Sequence, residues 1–220
     1  MSNYLTFLKF ILTTNTLLRI LQIYKCLNIN LKGLSLEFGA IDNKNKTFSN
    51  FFKGSKKFHF TNITPNKRLN IFYSDLTKKL KISKNKYKNI IIFNVLEHLP
   101  KHNLAFSEIF RILKKGGYLI GSVPFLYQVH GAPNDYYRFT KESLNSHLIN
   151  NKFKNIKIIA LGHGPFVASY SLIHAYIKFI PFFSQIILLI GYMLDSCIQI
   201  FVKTKLNEIF PIGYFFIAKK

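Results

Sequence analysis

The stretch NIIIFNVLEHLPKHNLAFSEIFRILKKGGYLIGSVPF, residues 89–125, constrains the fold more than any other part of the chain. Residues 89–95 are apolar nearly throughout, as a strand buried on both faces must be. Residues 102–113 then place Leu104, Ala105, Ile109, Ile112 and Leu113 on one helical face. Gly116 and Gly117 read as the stop for that helix, and YLIGSVPF follows as a second strand. Strand, helix and strand in such quick succession form a right-handed crossover between parallel neighbours.

The same alternation runs along the rest of the chain. LSLEFG (34–39), FHFTNI (58–63) and NIFYSD (70–75) read as short strands, KESLNSHLIN (141–150) as a helix and FKNIKIIAL (153–161) as a further strand. Strands alternating with helices specify an α/β fold with a mostly parallel sheet. Ligands of such sheets bind at the carboxyl ends of the strands, near the point where strand order reverses. The ends of the strands that begin at 34, 58, 70 and 89, together with the loop 124–140, are therefore expected around one crevice.

The 220 residues carry a formal charge of +22, which raises the question of nucleic acid. Lys supplies nearly all of it, with Arg only at 19, 68, 111 and 138, whereas base readout leans on Arg. The densest run, KKLKISKNKYK at 78–88, holds one aromatic, Tyr87, and so offers no stacking platform. Lys rises here together with Asn, Ile, Phe and Tyr, a joint excess that compositional bias explains. Nucleic acid is not the expected partner. Cys26 and Cys197 are too few and too far apart for a disulfide framework or a metal knuckle, which fits a reducing cytoplasm; no metal site is expected. Residues 1–32 carry helical apolar spacing interrupted by Lys9, Arg19 and Lys25, without a basic n-region or a small-residue cleavage site. They read as an amphipathic helix, packed on the domain or lying at a membrane surface.

NVLEHLPKHNLAFSEIFRILKKGGYLIGSVPF followed by HGAPNDYYRFT (130–140) resembles the class I S-adenosylmethionine-dependent methyltransferases. Within them it is most similar to the small, type 11-like methyltransferase-domain proteins of surface-polysaccharide biosynthesis clusters. The resemblance covers roughly 33–160, and the closing FPIGYFFIAKK resembles the family's last strand. It implies a Rossmann-like fold, a mostly parallel seven-stranded sheet with an antiparallel last strand and flanking helices. It implies residues 33–162 as the methyltransferase core and 206–220 as its final strand. It also implies transfer of a methyl group from S-adenosylmethionine to a small, glycan-related or lipid-linked acceptor. The other class of reading is a degenerate relative kept as a binding module at a membrane.

The family pattern carries over residue by residue. Glu37, Gly39 and Ala40 match its acidic-x-Gly-small turn beneath the cofactor's methionine moiety, while Ile41 and Asn43 stand where more Gly is usual. Asn43 is suited to the left-handed region and would help the turn. Asn62 occupies the position of the ribose-binding acid. Its neutral amide should bind less tightly by roughly 1–2 kcal/mol, so Asn62→Asp is expected to tighten cofactor binding. Asp75 and Leu76 match the adenine-reading pair, and Asn94 lines the pocket. In the LEH signature, Glu97 is as well suited to fixing the turn as to touching ligand, and His98 either faces the methyl group or bonds a loop. In the following loop, His130 and Asp135 fit a general base and its orienter, and Arg138 a clamp for an anionic acceptor. Tyr136 and Tyr137 would cover a sugar or lipid face. A pairing of Asp135 with Arg138 that rigidifies the loop is the structural alternative.

Residues 163–205 form an apolar insertion, of which 179–194 carry no charge. Sixteen helical residues span about 24 Å against about 30 Å of hydrocarbon, and Pro181 and His174 weaken any two-legged span. A single span would also part the last strand from its sheet. One or two helices capping the domain are expected, with 166–202 resting on the inner face of a membrane; the alternatives are a substrate lid or a contact between copies of the chain.

Overall fold

The computed structural model describes residues 16–41, 47–54, 57–131, 133–177, 179–180 and 182–220. Residues 1–15 of the expected leading helix, together with Asn43 and Pro181, lie outside the described residues. One seven-stranded sheet organises the chain, in the order β5 (Ile71–Tyr73), β4 (Phe58–Asn62), β2 (Ser35–Phe38), β6 (Tyr87–Phe93), β7 (Leu113–Pro124), β9 (Gly213–Lys219), β8 (Lys154–Leu161). The first five are mutually parallel, and β9 runs antiparallel to both β7 and β8. A separate two-residue pair, β1 (Asn30–Leu31) with β3 (Lys53–Gly54), lies outside the sheet.

Both faces of the central strand are covered, as its unbroken apolar run requires. Ile90 and Ile92 pack beneath α2 (His102–Ile112) and α3 (Lys141–Asn150), against Phe106, Ile109, Leu144 and Leu148. Ile91 and Phe93, one step out of phase, join Leu17, Ile23 and Cys26 of α1 (Leu17–Cys26) and Val167 and Ala168 of α4 (Pro165–Ile177). The strand period of two thus assigns one residue set to each layer. Strand order reverses between β2 and β6, so the chain leaves their carboxyl ends in opposite directions and opens a crevice there.

The glycine pair after α2 does not end it. The helix stops at Ile112, and the Leu113 N–H closes its last turn on the Ile109 carbonyl. Leu113 is captured at once by β6, opposite Tyr87, and the next registered pair is Tyr118 with Asn89. The residues between bulge out of the strand: Gly116 takes φ +67° and accepts from Lys88 Nζ at 2.8 Å. Sheet pairing overrides the local stop signal.

Between β8 and β9 lie α4, α5 (Phe183–Phe201) and the short α6 (Leu206–Ile209). The buried carboxylate of Asp195 accepts from the N–H groups of Phe166 and Val167, both at 2.9 Å, and so caps the start of α4 from the side of α5. Tyr170 and Ser184 share a buried hydrogen bond at 2.8 Å. The two helices therefore lie against each other as a hairpin. The outer face of α5 leaves Ile186, Leu189, Ile190, Met193 and Phe201 exposed.

Candidate active site

A cavity of about 510 Å³ fills the crevice at the carboxyl ends of β2, β4, β5 and β6. Gly39, Asn62, Ile63, Tyr73, Asp75, Leu76 and Asn94 line one part of it, and His98, Asn134 and Tyr136 the other. Gly39 holds φ +71°, and a Cβ there would sit 2.5 Å from Val95 Cγ2. The chain must pass beneath the cavity in this conformation, and glycine is what permits it. The Asp75 carboxylate accepts from the Thr77 N–H at 2.9 Å and the Thr77 hydroxyl at 2.6 Å, with Lys78 at 3.2 Å. Partial burial pushes its pKa up, but the Thr77 and Lys78 contacts outweigh that and leave it below the ordinary aspartate value. It is an anion at neutral pH.

Two of the matched residues stand elsewhere. The Glu37 side chain turns away from the cavity and accepts from the N–H groups of Phe48 and Ser49, both at 2.9 Å. Burial raises its pKa, against the pull of those bonds and of Arg19. Its work is to anchor the helical turn Phe48–Phe51. Ala40 is buried, and its carbonyl accepts from Asn62 Nδ2 at 2.7 Å, while Asn62 Oδ1 accepts from the Thr64 N–H at 3.1 Å. That bond alters the expectation for Asn62→Asp. A carboxylate there would face the Ala40 carbonyl with no proton to donate, and the repulsion offsets any gain at a ribose.

Asn94 takes φ +52°, a conformation that Asn tolerates. Its amide pairs with that of Gln22 on α1, Gln22 Nε2 donating to Asn94 Oδ1 at 2.7 Å and Asn94 Nδ2 returning at 3.2 Å. Gln22 Nε2 also lies 3.0 Å from Ser122 Oγ. Sequence reasoning missed Gln22; the signal was one amide among the apolar residues of the leading helix.

The loop after β7 folds back over the helical turn Leu96–His98. Tyr136 and Tyr137 donate their N–H groups to the Glu97 carbonyl at 2.9 and 3.2 Å. His98 Nδ1 donates to the Asn134 carbonyl at 2.6 Å, and the His98 and His130 rings meet edge to face with centroids 5.0 Å apart. Burial, with help from the nearby positive charges, holds His98 below the ordinary histidine pKa, so it is neutral at pH 7. Asp135 is held far below the carboxylate range, foremost by Arg138, whose two Nη atoms donate to its two oxygens at 2.5 and 2.6 Å. Asp135 also accepts from the His130 N–H at 2.9 Å. Arg138 gives further bonds to the carbonyls of Tyr127, Gln128 and Tyr137. Its guanidinium is turned into the loop, so the expected anion clamp gives way to a loop pin. Glu97 is fully buried beside this group. Burial pushes its pKa up to about 8, and neither carboxyl oxygen has a hydrogen-bond partner.

Residues 52–121 match the model of the methyltransferase domain family. A search of curated proteins finds no match. Among solved structures, an S-adenosylmethionine-dependent methyltransferase of Thermotoga maritima superposes with a TM-score of 0.54 at 14% identity, over 93% of this chain and 89% of that one. Phosphoethanolamine N-methyltransferase 2 of Haemonchus contortus, in complex with S-adenosyl-L-methionine, superposes with a TM-score of 0.58 at 14% identity, over 92% of this chain and 52% of that one. This chain thus spans about half of the latter. A cyclase shares the fold with a TM-score of 0.52 at 12% identity, over 90% of this chain and 79% of that one. At such identities the likeness is one of fold. The methyltransferase-domain match covers residues 52–121, and the neighbours share the fold around it.

Proposed function

We propose that the protein transfers a methyl group from S-adenosylmethionine to a small, sugar- or lipid-linked acceptor held against the loop 124–140. The observation that carries this reading is the cavity at the strand-order reversal, with Gly39 at its floor and Asp75 and Leu76 at one end. The cofactor fits these residues. Gly39 lets the chain turn beneath a methionine moiety where any Cβ would collide with Val95, Asp75 supplies an acceptor for an adenine amino group, and Ile63 and Tyr73 offer apolar walls to the ring. Asn62 is the weak point, since its amide is already bonded on both atoms. S-adenosylmethionine, when bound, supplies a methyl group already activated as a sulfonium. The chain's part is then to hold the acceptor in line and to keep water out. His98 stands on the cavity wall with His130 behind it, and these are the side chains placed to act on the acceptor's proton.

Calorimetric titration with S-adenosylmethionine and S-adenosylhomocysteine tests the reading. The wild type should bind both. Gly39→Val should weaken both at least tenfold, because it combines a disfavoured φ with a clash against Val95. Absence of binding to the wild type at millimolar cofactor would leave the degenerate binding-module reading in its place.

We propose further that the α4–α5 hairpin attaches the protein to the inner face of a membrane. Helix α5 is 19 residues long and apolar enough to cross a bilayer, but Asp195 ties it along α4. Its exposed apolar face and the charge of +22 suit an anionic lipid surface. The protein is expected to sediment with vesicles containing phosphatidylglycerol and to be released by salt. Ile186→Glu with Leu189→Glu should abolish sedimentation without shifting the melting temperature. A wild type that stays in the supernatant at low salt would refute the attachment.

A further inference from the structure

The side chains of Glu97, His98 and His130 offer three ligand atoms that lie within 4.8 Å of one another. Two of these residues sit on one helical turn and the third 32 positions along the chain, and the backbone bonds from Tyr136 and Tyr137 to Glu97 bring them together. From this geometry we infer that the three residues form a binding site for one divalent first-row transition ion at the wall of the cavity.

Three independent features point to a cation. The first is Glu97 itself. It is fully buried, and neither of its oxygens has a hydrogen-bond partner, although buried polar atoms are nearly always hydrogen-bonded. The second is the orientation of the imidazoles. His98 gives its Nδ1 proton to the Asn134 carbonyl at 2.6 Å, and His130 Nδ1 lies 3.2 Å from the Gln128 carbonyl and 3.3 Å from Asp135 Oδ2. Each ring is therefore left with a lone pair on Nε2, and an oxygen behind the other nitrogen is the usual support of a metal-binding histidine. The third is spacing. His98 Nε2 lies 3.8 Å from Glu97 Oε1, close to the separation of about 3–3.5 Å between ligands that each stand about 2.1 Å from a common ion. Small side-chain rotations close the remainder. The nearby positive charge of Arg138 is matched by Asp135, with which it forms a bidentate pair.

Two imidazoles with one carboxylate suit manganese through zinc better than magnesium or calcium, which take oxygen ligands. Three protein ligands leave coordination positions open, and His98 lies on the cavity wall. An acceptor hydroxyl bound there would release its proton to water more readily, so with the ion in place His98 and His130 act on that proton through the ion and not as bases themselves. The acceptor class is therefore an alcohol rather than an amine. That assignment of role rests on the methyl-transfer reading, whereas the binding of the ion does not.

The test uses the full chain without a histidine tag, stripped with chelator and titrated with Co²⁺ in the absence of cofactor. One ion per chain should bind and give the visible absorption of a nitrogen- and oxygen-ligated cobalt. His130→Ala and Glu97→Gln should each weaken that binding at least about 100-fold, with melting curves establishing that both variants are folded. No stoichiometric uptake by the wild type, or uptake unchanged in both variants, would overturn the site. Uptake of cobalt without any binding of S-adenosylmethionine would instead leave the ion site standing and remove the methyl-transfer reading.

Discussion

Arg138→Met should lower the melting temperature by about 10 °C, a larger effect than any expected from the surface of this protein. Asp135 has a side chain only 3% exposed, and Arg138 supplies both of its oxygens with short bonds. Removing the guanidinium leaves a buried carboxylate without its counter-charge, at a cost of about 3–5 kcal/mol. For a chain of this length each kcal/mol corresponds to about 2–4 °C. The carbonyls of Tyr127, Gln128 and Tyr137 lose a donor in the same step. Arg138→Lys should recover little, since an ammonium cannot face two carboxylate oxygens and three carbonyls at once. Adding Asp135→Asn to Arg138→Met should restore part of the loss, because the stranded charge is gone. Thermal melts of the three variants at one pH decide it. A wild-type melting temperature in Arg138→Met would mean that the guanidinium is not the pin of this loop.

Glu97→Gln should stabilise the chelator-treated protein at alkaline pH. The pKa of Glu97 in the folded chain is pushed up to about 8 by burial, against an ordinary 4.5. Between those two values the folded chain keeps a proton that the unfolded chain releases. Stability contributed by that proton is full below about pH 4.5 and is lost as pH rises to about 8. The whole interval corresponds to roughly 4–5 kcal/mol. Gln has the shape of the protonated acid and does not titrate. Its melting temperature should match the wild type near pH 5 and exceed it by several degrees at about pH 8.5. Parallel pH profiles for the two proteins would contradict a protonated Glu97.

The layer architecture was legible because it rests on local patterns: the apolar run at 89–95, the helical face at 102–113, and the alternation that sends Ile91 and Ile92 to opposite layers. The end of α2 was not, because Gly116 and Gly117 signal a stop that pairing of Leu113 with Tyr87 overrides three residues earlier. The cavity could be located by strand ends, which brought Gly39, Asn62, Asp75 and Asn94 together. What each side chain does there depended on partners that spacing does not reveal. Glu37 is taken by the amides of residues 48 and 49, Asn94 by Gln22, and Arg138 by its own loop. The meeting of His98 with His130 follows from the path of an irregular loop, whose backbone bonds to Glu97 have no periodic signature.

Strand β9 follows every other strand in chain order yet is inserted between β7 and β8. During synthesis the earlier strands emerge while that slot, next to the edge of the sheet, is still vacant, so β7 presents an open apolar edge and β8 has no partner at all. Cooperative closure of the sheet must therefore wait until the final strand clears the ribosome. Until then the nascent chain is exposed to strand-to-strand aggregation.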